Sequence, residues 1–77
     1  MEYKTLNDLK PGEKAKIYSL ISKGTIRRRL LDIGLTENSY VECLGKSPLG
    51  DPKAFLVRGA VIAIRSEDLK NILIYSQ

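Results

Sequence analysis

A chain of 77 residues with 13 Lys and Arg against 9 Asp and Glu, net charge +4, has room for one domain and one core. Its 43% hydrophobic and 29% charged residues fit a globular domain, and the mildly basic balance permits an acidic partner without requiring one. With no histidine, Ser-His-Asp and Cys-His catalysis and the usual His/Cys zinc sites are excluded; with Cys43 alone, an internal disulfide is excluded, which fits a reducing cytoplasm. Residues 1–9 lack the apolar stretch of a signal peptide, and no run approaches the ~20 apolar residues of a membrane helix, so no direct membrane insertion is expected.

In chain order, residues 5–13 open with a helical turn carrying Leu6 and Leu9, with Thr5 as N-cap, before Pro11-Gly12 forces a turn. This lead-in is expected to plug one end of a barrel. Residues 14–21 alternate as a strand does, with Ala15, Ile17, Ser19 and Ile21 on one side and Lys16, Tyr18 and Leu20 on the other. Over residues 22–35 the period changes. Ile26, Leu30 and Ile33, widened by Leu31 and Leu35, predict an amphipathic helix that Ser22 or Thr25 caps and a left-handed Gly34 closes. Residues 39–46 alternate again, with Cys43 as a small buried hydrophobe. Residues 54–65 carry Gly59 at their centre and read as two strands meeting at a tight turn around Arg58-Gly59, covered on both faces. A last helical turn capped by Ser66 precedes a final strand at residues 71–76. The sum is a mainly β fold, a five-stranded barrel closed or half-closed against exposed edges, with one amphipathic α-helix and short helical turns.

These segments, in this order, resemble the FeoA family of small SH3-like barrel proteins of bacterial ferrous iron transport. Leu6, Leu9 and Gly12 match its opening L-x-x-L-x-x-G, and Arg29, Leu30, Ile33, Gly34 and Leu35 match its helix ending R-L-x-x-[LI]-G-L. The stretch PLGDP at residues 48–52 matches its proline-glycine loop; Gly59 with Ile62, Ala63, Ile64 and Arg65 matches G-x-x-[IV]-A-[LI]-R; Ile72 and Ile74 match the closing strand. Two departures stand out. Glu37-Asn38 replaces a common Pro-Gly, where Asn is the next best residue for a left-handed turn, and Asp68-Leu69 replaces Glu-Ala. The resemblance implies a cytoplasmic, non-enzymatic module without a cofactor, supporting Fe²⁺ uptake by acting on the cytoplasmic region of FeoB, a membrane transporter with a G domain. The same barrel occurs as a C-terminal domain in iron-dependent repressors. With no winged-helix segment ahead of it, this chain is not expected to be a complete repressor.

The residues themselves suggest two surfaces for a partner. Arg27 and Arg28, with Lys23, form a basic patch on the helix, while Arg29 is expected to lie with its stem against the sheet. The loop Pro48, Leu49, Gly50, Asp51 and Pro52 is expected to be pre-shaped, with Ser47-Pro48-Leu49-Gly50 as a type I turn and Leu49 as an anchor if its side chain is exposed. Arg65 is expected to pair with Glu67 or Asp68. Without imidazole, no micromolar Fe²⁺ site is expected. Nucleic-acid binding is a competing function, disfavoured because Tyr3, Tyr18, Tyr40, Phe55 and Tyr75 are scattered one per element. A third candidate is weak self-association through a barrel edge.

Overall fold

The computed structural model describes residues 4–75. Six antiparallel strands form one sheet: β1 (Lys4–Thr5), β2 (Lys14–Leu20), β3 (Tyr40–Lys46), β4 (Lys53–Val57), β5 (Ala60–Ile64) and β6 (Ile72–Ile74), in the spatial order β1-β6-β2-β3-β4-β5. A 3₁₀ turn (Leu6–Asp8) follows β1, helix α1 (Gly24–Asp32) joins β2 to β3, and the single-turn helix α2 (Ser66–Leu69) joins β5 to β6. The inward residues of the strands, among them Ile17, Cys43, Phe55 and Ile72, are fully buried together with Leu6, Leu35 and Leu69 from the connections. A single cluster therefore holds the sheet, the lead-in turn and both helices in place. The lead-in packs as expected, with Leu6 and Leu9 buried, although the element before it is a strand too short to show any period.

The barrel is curled but is not closed by hydrogen bonds. No pairing joins β1 to β5 among the described residues, and β5 has β4 as its one neighbour. This corrects both the strand count and the expectation of strands covered on both faces. Ala60, Val61 and Ala63 are exposed, Val61 at 68%, because β5 lies at an edge with only its inner face on the core. Residues 58 and 59 make the two-residue turn before it, both at positive φ (51° and 82°), the geometry of a type I′ hairpin.

A β-bulge interrupts the second strand. Its register on β6 shifts between Ile17 and Ser19, so Leu20 turns inward and Ile21 outward, the reverse of a strict alternation. A second irregularity falls between Cys43 and Gly45 on β3.

Helix α1 ends as its sequence predicts. Gly34 adopts φ 103°; its N–H donates to the Leu31 carbonyl, and the Leu35 N–H donates to the Leu30 carbonyl, a Schellman closure. The start differs. Lys23 is the N-cap, without a side-chain bond, Thr25 lies within the helix, and the buried Ser22 hydroxyl has no hydrogen-bond partner. Ile26 is 43% exposed, because the helix docks through Leu30 and Leu35 with Leu31 and Ile33 beside them, leaving its first turn outside the core. Asn38 takes φ 69°, so it supplies the left-handed turn in place of Pro-Gly.

Candidate partner-binding surfaces

The loop between β3 and β4 is built from its own short-range bonds. The Gly50 N–H donates to the Ser47 carbonyl (2.8 Å), closing the β-turn. The Ser47 hydroxyl donates to the Asp51 carbonyl (2.8 Å), and the Ser47 N–H to the Pro52 carbonyl (3.1 Å). The Asp51–Pro52 peptide bond is cis. One further bond ties the loop to the rest of the molecule: the Asp51 carboxylate accepts from the Ser66 N–H (2.8 Å) at the start of α2. Ser66 is therefore not the cap; Arg65 holds the N-cap position, and a carboxylate 15 residues upstream satisfies the helix's first amide. Asp51→Ala should lower stability by about 1 kcal/mol, read by urea unfolding, with Asp51→Asn retaining part of it.

At the tip of this fixed turn, Leu49 is 94% exposed. Its side chain does not fold back on the barrel, which settles the alternative the sequence left open. Pro48, Asp51 and Pro52 are exposed beside it and Gly50 is half-buried.

The basic group on α1 is arranged differently from the expectation. Arg27, not Arg29, turns inward: its guanidinium Nη1 donates to the Leu20 carbonyl (2.7 Å) at the end of β2, and the residue is half-buried. Arg28, Arg29 and Lys23 are exposed. The physical reason is the rotation of the helix. With Leu30 on the core, Arg27 one turn earlier lies above the same seam and reaches the Leu20 carbonyl where β2 ends. Arg27 is thus a structural clamp, and the free basic pair is Lys23 with Arg28. The two surfaces are held by different bonds, α1 to the end of β2 through Arg27 and the loop to the start of α2 through Asp51.

A third grouping was not legible from spacing. Lys16 pairs with Tyr40 across β2 and β3, and the Tyr75 N–H donates to the Lys16 carbonyl (3.0 Å). The Lys16 ammonium consequently lies 5.8 Å from the Tyr40 ring centre and 5.7 Å from that of Tyr75, whose ring meets Tyr18 edge to face at 5.1 Å. Three tyrosines scattered along the chain form one exposed aromatic cluster around a cation; Tyr3 lies outside the described residues, and Phe55 is core. The outward alternation of Lys16 and Tyr18 was the available signal, and strand order was the missing one.

Arg65 does not form the expected pair: among the described residues neither Glu67 nor Asp68 comes within ion-pair distance of it. Cys43 is free and buried in the core. No group of three or more Cys, Asp or Glu side chains is placed to hold a metal ion among the described residues, and no helix among them is long and apolar enough to cross a membrane.

Comparison with known proteins adds the following. The family model described as FeoA domain matches residues 4–76. A solution structure of FeoA from Chlorobium tepidum is 30% identical, with a TM-score of 0.87 over 94% of this chain and 69% of the other. A FeoA-like protein from Clostridium acetobutylicum is 28% identical, with a TM-score of 0.87 over 97% and 87% of the two chains. FeoA of Stenotrophomonas maltophilia is 25% identical, with a TM-score of 0.83 over 94% and 89%; that protein was crystallised with zinc, is described as an SH3 domain protein, and was put forward as a ferrous iron transport activating factor. No curated protein matches the chain. The zinc belongs to that relative.

Proposed function

Because the chain belongs to the FeoA family, we propose that it is a non-enzymatic accessory module of Fe²⁺ uptake that binds the cytoplasmic region of a FeoB-type transporter through the loop of residues 48–52. One observation carries this: Leu49 stands 94% exposed at the tip of a turn whose backbone is already bonded in place. An apolar side chain on a pre-ordered loop loses little freedom on docking and gains the full transfer free energy of a partner pocket. Lys23 and Arg28 add a cationic flank for an acidic partner. The test is capture of the intact chain on the cytoplasmic region of such a transporter, with Leu49→Asp and Lys23→Glu/Arg28→Glu compared. Loss with Leu49→Asp supports the proposal; full retention removes the loop from it. Regulation of transport from this position would take place in the cytoplasm and would not require the module to touch iron. Anaerobic calorimetry with Fe²⁺ is expected to give no stoichiometric binding in the micromolar range, and a clear one-to-one isotherm would overturn that.

Single-stranded nucleic-acid binding is the second function that a specific feature favours, the Lys16 cluster with its three tyrosines. Fluorescence anisotropy with an oligothymidylate at low salt decides it, since a stacking platform with lysine contacts must bind there most tightly.

A further inference from the structure

The open barrel leaves β5 with hydrogen-bonding capacity on one side. Its backbone bonds run to β4 alone, and no turn, cap or loop bond reaches Ala60–Ile64 among the described residues. In an antiparallel edge strand every second residue aims its N–H and C=O outward, so this edge is a template for another extended chain. Beside it runs a groove between β5 and α1, with an apolar floor of Leu30, Ile33, Ile62 and Ile64. Its rim carries Arg29 and Arg65, both exposed, and one half-buried carboxylate, Asp68. Neither arginine is within ion-pair distance of a carboxylate among the described residues.

We propose that the outer edge of β5 accepts an extended acidic peptide segment as an added strand, its alternate apolar side chains in the groove beside α1 and its carboxylates on Arg29 and Arg65. This goes beyond the loop surface and does not depend on it. Charge decides the occupant. If a second copy paired its own β5 antiparallel about Ile62, Arg65 of each copy would face Gly59 of the other and stand next to its Arg58, setting like charges together at both ends. An acidic strand gives both arginines a partner and adds main-chain bonds, the recognition mode of strand addition.

The test uses the full chain, labelled with ¹⁵N and titrated with a capped peptide about ten residues long, alternating valine with glutamate and threonine. Shift changes are expected at the amides of Ala60–Ile64, with slowed hydrogen exchange there and a Kd below about 1 mM. Replacing the glutamates by lysine should weaken binding about tenfold or more, Arg65→Gln less so, and Arg29→Glu/Arg65→Glu should invert the preference between the two peptides. Leu49→Asp should leave this binding unchanged, so failure of the loop surface and failure of the edge are separable. The proposal is overturned if shifts centre on the loop or on Lys16, if the lysine peptide binds equally well, if nothing shifts by about 1 mM, or if the free chain doubles its mass with its β5 amides protected, which would make a second copy the occupant.

Discussion

Leu49→Asp should raise the Kd for the transporter's cytoplasmic region about 30-fold or more, roughly 2 kcal/mol, while leaving the chain folded. The two halves of this result have separate causes. Binding falls because a charge replaces an anchor that must be desolvated in the partner. Folding is spared because a side chain exposed to this degree makes almost no contacts to lose, and the unfolding free energy should change by less than about 0.5 kcal/mol. Leu49→Ala should fall between the two in affinity, and Leu49→Met should stay near the parent. Calorimetric titration with each variant, beside a urea melt, checks both halves. Affinity unchanged by Asp would show that the exposed leucine is incidental.

Among glycine-to-alanine changes in this chain, Gly34→Ala is expected to carry the largest stability cost, about 3 kcal/mol. Two causes act together. A φ of 103° is one that an L side chain rarely adopts. A Cβ there would also stand 3.0 Å from Arg58 Cδ and 3.3 Å from Val57 Cγ1, tighter than ordinary contact. The loss is large against the roughly 5–15 kcal/mol that holds a domain folded, and should lower a urea midpoint by about 1–3 M at the slope of a small protein. The causes can be separated. In an Arg58→Ala background the Cδ collision is gone while the dihedral strain persists, so the cost should drop by about 1 kcal/mol. No drop would assign the whole effect to the backbone.

What could be seen without coordinates follows the range of the forces involved. The C-terminal end of α1 was visible because Gly34 and the apolar Leu30 and Leu35 sit within six residues, where a Schellman closure is a local matter. The hairpin at Arg58-Gly59 and the left-handed Asn38 were visible for the same reason. The sequence does not single out Arg27 from Arg29, because residues about 100° apart on a helix are equivalent until the helix docks, and the bond to the Leu20 carbonyl distinguishes them. The bulge at Ile17 and Ser19 is an insertion in register, invisible to a period count on one strand. β1 has two residues and no period at all. The tyrosine cluster depends on which strands are neighbours, and a spacing of 35 residues between Tyr40 and Tyr75 says nothing about that. Of the candidate surfaces, the loop was therefore readable as a shape, the basic patch only in part, and the β5 edge not at all, because it exists only where a sixth pairing, β5 with β1, is missing among the described residues.

The bond from Asp51 to Ser66 makes two segments one thermodynamic unit. Any contact that narrows the fluctuations of the loop also lowers the opening frequency of the amide that Asp51 holds, and any strain that frays α2 releases the loop by the same free energy. Amide exchange at Ser66 is then a meter for events at Leu49, two side chains that need never touch. A ligand seated on the loop should slow that exchange, and Asp51→Ala, which removes the bond between the two segments, should abolish the coupling.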